Sequence, residues 1–162
     1  MNKKGFLIDM DGVIYKGSEP IPGAVKFINS LRENGYPFLF LTNNSQRTSR
    51  DICYKLCKMG FNVTDEDIFT CGMATARYLA SRKENGTAYV IGEGGLLNEL
   101  HKVGYSIIED HPDFVIMYLP GGEQGLSDHL KQKLIESAPQ IFISAIEGMV
   151  ANTIHSMRQK NY

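Results

Sequence analysis

The sequence of 162 residues lacks tryptophan, has only three cysteines and carries almost no net charge, with 17 Lys and Arg against 18 Asp and Glu. This balance argues against a protein that binds nucleic acid or a membrane surface through clustered Lys and Arg. No apolar run approaches the roughly 20 residues that cross a bilayer, and the N-terminal segment is too short and too acidic for a signal peptide. We therefore expect a cytoplasmic protein without nucleic-acid or membrane partners.

Cysteine and histidine are too few and too scattered for two further classes of protein. Cys53, Cys57 and Cys71 form neither an even set for disulfide bonds nor a Cys-x-x-Cys metal pair. The four histidines fall at no spacing typical of a zinc site. We expect reduced thiols packed in the core, histidines on the surface and no zinc centre.

The chain does contain alternating apolar strands and amphipathic helices. Residues 6–8 and 38–41 are apolar runs that predict buried strands, with a helical pattern over 24–31 between them. The pattern continues with predicted helices over 49–59, 72–82 and 96–103, and predicted strands over 68–70, 88–91, 105–108 and 114–119. The predicted fold class is α/β, with a partial Rossmann-like parallel sheet as core and an incomplete α/β insertion after the polar turn at 83–86.

Two carboxylates follow the first predicted strand. Asp9 and Asp11 are two residues apart at a strand end, so both project to the same side of the sheet. Like charges this close repel, so either one carboxyl stays protonated or a hard cation such as Mg²⁺ holds the pair. Gly12 allows a tight turn that brings its amide near an anion. On the two carboxylates alone, an ordinary Asp-rich turn explains the segment equally well.

A polar segment follows the second predicted strand. Thr42, Asn43, Asn44 and Ser45 offer a hydroxyl, two amides and backbone N–H groups ahead of a helix, which suits a phosphate. Taken alone, the segment is more typical of a polar loop with helix N-cap candidates than of a phosphate site. A right-handed crossover between parallel strands brings both segments to one edge of the sheet, where open α/β sheets bind ligands.

The two segments together resemble the motifs of the haloacid dehalogenase superfamily of phosphohydrolases, in particular its NagD-like, class IIA branch. The resemblance covers residues 5–114. It implies a Mg²⁺-dependent hydrolase of small phosphomonoesters, of sugar-phosphate or nucleotide type, that acts through an aspartyl-phosphate. Asp9 is then the nucleophile and a metal ligand, and Asp11 is the acid/base that also offers its carbonyl to the metal. Thr42, Asn43 and the amide of Gly12 are then the phosphate ligands.

The resemblance also implies a domain plan, with residues 1–85 as the N-terminal part of the core, 86–119 as the start of a cap and 120–162 as an unmatched tail. Two later motifs of the family, a Lys and a second acidic loop, are not recognisable, so the chain looks shortened at its C-terminal side. The alternative expectation is a catalytically impaired remnant or a phosphate-binding subunit, or a half completed by a separate polypeptide.

The missing part carries a strand that borders residues 6–8 in the family. These residues are then expected to form an exposed sheet edge that permits self-association. The apolar segment 141–146 is the candidate to cover that edge.

Overall fold

The computed structural model describes residues 4–44, 46–92 and 94–117 in full and, of the later chain, the strand at 141–143. The elements in chain order are β1 (Phe6–Asp9), β2 (Tyr15–Lys16), β3 (Glu19–Pro20), α1 (Ala24–Glu33), β4 (Phe38–Thr42), α2 (Ser49–Lys58), a 3₁₀ turn (Asp65–Asp67), β5 (Ile68–Thr70), α3 (Cys71–Arg82), β6 (Thr87–Ile91), α4 (Gly94–Lys102), β7 (Ser106–Ile107), β8 (Phe114–Met117) and β9 (Ile141–Ile143). The α/β class with parallel sheets is confirmed.

The first sheet has the order β1-β4-β5, and all its pairs are parallel. Asp9 lies opposite Leu41 in the β1–β4 register, and Thr42 lies opposite Thr70 in the β4–β5 register. Helix α1 links the first two strands, as a parallel crossover requires. The carboxyl ends of the three strands therefore meet at one edge, as the sequence predicts.

The second sheet has the order β7-β6-β8-β9 and is also parallel throughout. The prediction that residues 141–146 cover the edge of β1 is wrong for residues 141–143, because Ile141 lies opposite Val115 of β8, and residues 144–146 lie outside the described residues. All four residues of β8 are buried, so this strand accepts a neighbour on each side. Within the described residues, β1 pairs with β4 alone, and Leu7 at that edge is 45% exposed.

Each sheet has its own hydrophobic cluster. Phe40, Ile28 and Leu56 are fully buried in the first cluster, under α1 and α2. The second cluster contains Leu79 of α3 and Leu100 of α4. Helix α3 thus packs with the second group of elements although it precedes the polar turn at 83–86.

The cysteines differ in exposure, whereas the described histidines lie on the surface. Cys57 is exposed and Cys53 is half-buried, so the expectation of core thiols holds only for Cys71. His101 and His111 are exposed, as expected, and the other two histidines lie outside the described residues. Among the described helices, none combines the length and the apolar character that a bilayer crossing requires.

Candidate active site

The carboxylate of Asp9 lies at the end of β1, on the edge where β4 ends in Thr42. Asp9 is exposed, and its Oδ1 accepts a hydrogen bond of 2.9 Å from the Met10 N–H. Apolar Phe6 and Ile8 anchor the strand in the first cluster. The carboxylate is thus held at a rigid strand end with access to solvent.

A single tight turn carries Asp11 away from the strand. The Met10 carbonyl accepts the N–H of Ile14 at 3.0 Å, and both side chains are buried, which leaves Asp11 on the exposed side. Gly12 has φ +78°, a conformation that other residues rarely adopt. Its N–H donates to the Tyr15 carbonyl at 2.8 Å. The amide that the resemblance assigns to a phosphate therefore closes this turn, and Gly12 as a phosphate ligand stays a prediction.

The loop after β4 is organised by its own side chains. The Oγ1 of Thr42, which is buried, accepts the Asn44 N–H at 3.1 Å, and the Asn44 Oδ1 accepts the Gln46 N–H at 2.9 Å. This bond uses a lone pair of Oγ1, so the hydroxyl proton of Thr42 can still donate to an anion. Asn43 is exposed, and its carbonyl accepts the Cys71 S–H at 3.0 Å.

Two cations border the acidic turn. The Nζ of Lys55, on α2, lies 3.8 Å from the centroid of the Tyr15 ring, in a cation–π contact. Burial raises the pKa of the Tyr15 phenol, Asp11 and Asp9 raise it further, and Arg47 opposes them. Burial and Arg47 lower the pKa of Lys55, whereas Asp11 raises it. These charges therefore act on one another at the same corner of the sheet.

Three residues at this corner were not predicted as site residues from the sequence: Arg47, Lys55 and Tyr15. Arg47 stands two residues beyond the polar loop, so its position alone was a usable signal. Lys55 carries no such signal, because only the packing of α2 against the turn brings it to the Tyr15 ring. Cations beside two carboxylates reduce the repulsion within the pair and favour the binding of an anion.

The donor groups at this edge are oxygens, the kind of ligand that Mg²⁺ prefers. No group of three or more His, Cys, Asp or Glu side chains could hold a metal ion within the described ranges. Mg²⁺ is commonly bound by one or two carboxylates together with waters and phosphate oxygens of the substrate. The Asp9 carboxylate matches that requirement, with the Asp11 backbone carbonyl as a second oxygen and the substrate as a necessary further ligand.

A separate cavity of about 630 Å³ lies near the start of β4 and the 3₁₀ turn, beside Phe38, Asp67 and Arg77. Its lining contains none of the predicted site residues. This cavity is therefore not part of the carboxylate edge.

Carboxylates and a hydroxyl lie at the carboxyl edge of a parallel sheet, which is the edge where open α/β proteins bind their ligands. Comparison with known proteins identifies the family to which the chain belongs. Residues 6–106 match the model of the haloacid dehalogenase-like hydrolases, and the chain belongs to this family.

The relatives are phosphatases. The chain is 40% identical over 114 residues to the 5'-nucleotidase YutF of Bacillus subtilis, a match that covers 70% of this chain and 44% of the relative. The structure of NagD from Escherichia coli K-12 superposes with a TM-score of 0.71 at 33% identity, covering 85% of this chain and 55% of NagD. The predicted NagD-like resemblance is confirmed.

A second similar structure is that of a glycerol phosphate phosphatase from Mycobacterium tuberculosis in complex with magnesium. It has a TM-score of 0.65 at 34% identity, covering 71% of this chain and 36% of that one. The chain thus spans about half or less of the length of the relatives it matches.

Proposed function

We propose that the chain is the nucleophile-bearing part of a Mg²⁺-dependent phosphatase that hydrolyses small phosphomonoesters. The observation that carries the proposal is the β1–β4 register, which sets Asp9 opposite Leu41, the residue before Thr42 on the neighbouring strand. Relatives described as a 5'-nucleotidase and a glycerol phosphate phosphatase support a small phosphorylated metabolite as substrate.

The carboxylate of Asp9 attacks phosphorus, so an Asp9 Oδ–P bond forms as the ester P–O bond breaks. Asp11 in its protonated form donates its proton to the departing alkoxide. Asp11 then accepts a proton from water, whose oxygen attacks the aspartyl-phosphate and releases inorganic phosphate. The exposed position of Asp11 beyond the strand end suits a group that exchanges protons with both alcohol and water.

The phosphoryl oxygens are held by donors from both loops. Thr42 donates its hydroxyl proton and Asn43 its side-chain amide, and the Gly12 N–H joins them by exchanging its Tyr15 partner. Arg47 and Lys55 add positive charge beside Asp11, where negative charge accumulates in phosphoryl transfer.

The carboxylate of Asp9 and the backbone carbonyl of Asp11 are the groups that hold Mg²⁺. When bound, the ion neutralises the charge of the carboxylates and of the phosphoryl oxygens.

Residues 1–85 form the core part in this proposal and 86–119 begin the cap, with 120–162 beyond it. The edge of β1, which no other described strand pairs, is the surface for self-association.

A second function is a phosphate-binding subunit that does not turn over. It is favoured because the family's Lys and second acidic motif are not recognisable in the sequence, and a metal site without the second motif lacks oxygen ligands. In this second function the Thr42 loop and the carboxylate pair still bind phosphate. Turnover is lost because the family's Lys and second acidic motif are absent from the recognisable sequence.

The test is phosphate release from a panel of phosphomonoesters by the purified chain, with Mg²⁺ and with a chelator, for the natural sequence and for Asp9→Asn. Release that needs both Mg²⁺ and Asp9 supports the phosphatase. Mg²⁺-dependent binding of inorganic phosphate without release supports the binding subunit. If the chain neither releases nor binds phosphate, both functions are rejected.

A further inference from the structure

Two thiols stand close together on α2, and neither takes part in the proposed chemistry. Cys53 and Cys57 are four residues apart, so they lie on the same face of the helix one turn from each other. Their Sγ atoms are 3.9 Å apart. The same spacing places the two histidines of helical zinc motifs on one face of a helix.

A backbone carbonyl completes a three-atom group. The Val63 oxygen lies 3.6 Å from the Cys53 Sγ and 3.5 Å from the Cys57 Sγ. The chain after α2 folds back here, with the Phe61 N–H bonded to the Leu56 carbonyl at 3.2 Å. Since Val63 is buried and Cys57 is exposed, the group is fixed on one side and open to solvent on the other.

The sulfur separation distinguishes between two kinds of thiol chemistry. A disulfide needs an S–S distance of about 2.05 Å, which these thiols do not approach. A tetrahedral Zn²⁺ with Zn–S bonds of about 2.3 Å sets two thiolates about 3.8 Å apart. The pair therefore already has the spacing that such an ion requires.

The surroundings are acidic. Burial, the neighbouring Cys57 thiol and the charges of Asp65 and Asp67 raise the pKa of Cys53 to about 11. Without a cation the Cys53 thiol is therefore protonated at neutral pH, in keeping with S–H donation to the Val63 carbonyl.

We propose that Cys53 and Cys57, with the Val63 carbonyl, bind one soft divalent cation of the Zn²⁺ and Cd²⁺ class. The ion displaces the two thiol protons and forms two metal–sulfur bonds, without oxidation of either sulfur. Solvent fills the remaining position, so the ion is exchangeable. Thiolates select such ions, whereas the oxygen ligands Asp9 and Asp11 suit Mg²⁺.

The experiment titrates the reduced full chain with Cd²⁺ and records the ultraviolet charge-transfer absorption that only thiolate-bound metal gives. We expect one Cd²⁺ per chain, displaced by Zn²⁺. The exposed Cys57→Ser leaves the core untouched, and it should weaken binding about tenfold or more. Cys53→Ser should do the same, with circular dichroism as the check of folding.

Two matched variants separate this site from other ligands. Cys71→Ser removes the remaining thiol and should leave both absorption and affinity unchanged, because Cys71 bonds to Asn43 and not to this pair. Asp9→Asn should also leave them unchanged. Absence of the absorption in the natural chain overturns the proposal, as does its persistence at full affinity in Cys57→Ser.

Discussion

Two carboxylates at opposite ends of their strands, one in each sheet, differ in how their oxygens are used. Asp113, just before β8, accepts hydrogen bonds from the Lys83 Nζ at 2.5 Å, the Thr87 N–H at 2.8 Å and the Thr87 Oγ1 at 3.0 Å. Asp9, at the end of β1, accepts from the adjacent Met10 N–H and is exposed. The first carboxylate joins α3, β6 and β8, and the second stands at an open edge.

The difference separates a structural carboxylate from a chemical one. The Lys83 ammonium, with the N–H and hydroxyl of Thr87, lowers the pKa of Asp113 to about 2. Three hydrogen bonds hold its two oxygens, so this carboxylate stabilises the fold. A nucleophile needs a free lone pair at a fixed position, which the end of a paired parallel strand provides.

The largest effect is expected from Asp9→Asn. The amide cannot attack phosphorus, so Mg²⁺-dependent phosphate release should fall at least about 10³-fold, whereas Asp113→Asn should retain most of it. Phosphate release by both variants, with unfolding curves to show that each is folded, checks the comparison. Equal losses in the two variants would contradict it.

Thr42→Val should lower phosphate release about 10²-fold, because one donor to the phosphoryl oxygens is lost. The matched control is Thr70→Val, at the residue opposite Thr42 in the sheet. Thr70 is also buried, and its Oγ1 caps α3 by accepting the Met73 N–H at 3.1 Å. Its replacement should cost about 1 kcal/mol of unfolding free energy and leave the rate unchanged.

Thr48→Ala tests the helix that carries Lys55. Thr48 and Asp51 form a capping box at the start of α2, and the Thr48 Oγ1 accepts the Asp51 N–H at 3.2 Å. Loss of this cap should reduce the free energy of unfolding by about 1 kcal/mol, measured by urea denaturation. Thr64→Ala, in the capping box of the three-residue 3₁₀ turn, should cost less because no long helix depends on it.

The smallest effect concerns pH and Asp113. Its pKa falls from 3.8 to about 2 on folding, so the carboxylate stabilises the protein above pH 3.8 and loses this contribution as the pH falls through 2. Asp113→Asn should therefore be less stable than the natural chain at pH 7, with a difference that shrinks toward pH 2. A difference that is constant over this range would show that Asp113 is not held by Lys83 and Thr87.

Much of the fold was predictable because the strands that matter are short apolar runs followed by polar residues. Residues 6–8 and 38–41 mark β1 and β4 to within a residue. The hairpin of β2 and β3 was missed, since each strand has only two residues and no alternating pattern. Pairing of residues 141–143 with β8 depends on a long-range choice between two edges, about which local sequence says nothing.

The candidate site was predictable only in its acidic and hydroxyl residues. Two of these residues end their strands, Asp9 in β1 and Thr42 in β4, and Asp11 and Asn43 follow them in the sequence. Sequence order alone therefore indicates the edge at which they lie. Lys55 reaches the site through the packing of α2 on Tyr15, which no local pattern encodes. The engagement of the Gly12 N–H with Tyr15 likewise appears only once the turn is built.

The most direct measurement is a crystal structure of the chain with Mg²⁺ and orthovanadate, an analogue of the phosphoryl group in transfer. The account predicts vanadium in line with an Asp9 carboxylate oxygen and a vanadate oxygen within hydrogen-bond distance of the Thr42 hydroxyl. Vanadate bound elsewhere, or bound at this edge without contact to Asp9, would contradict it.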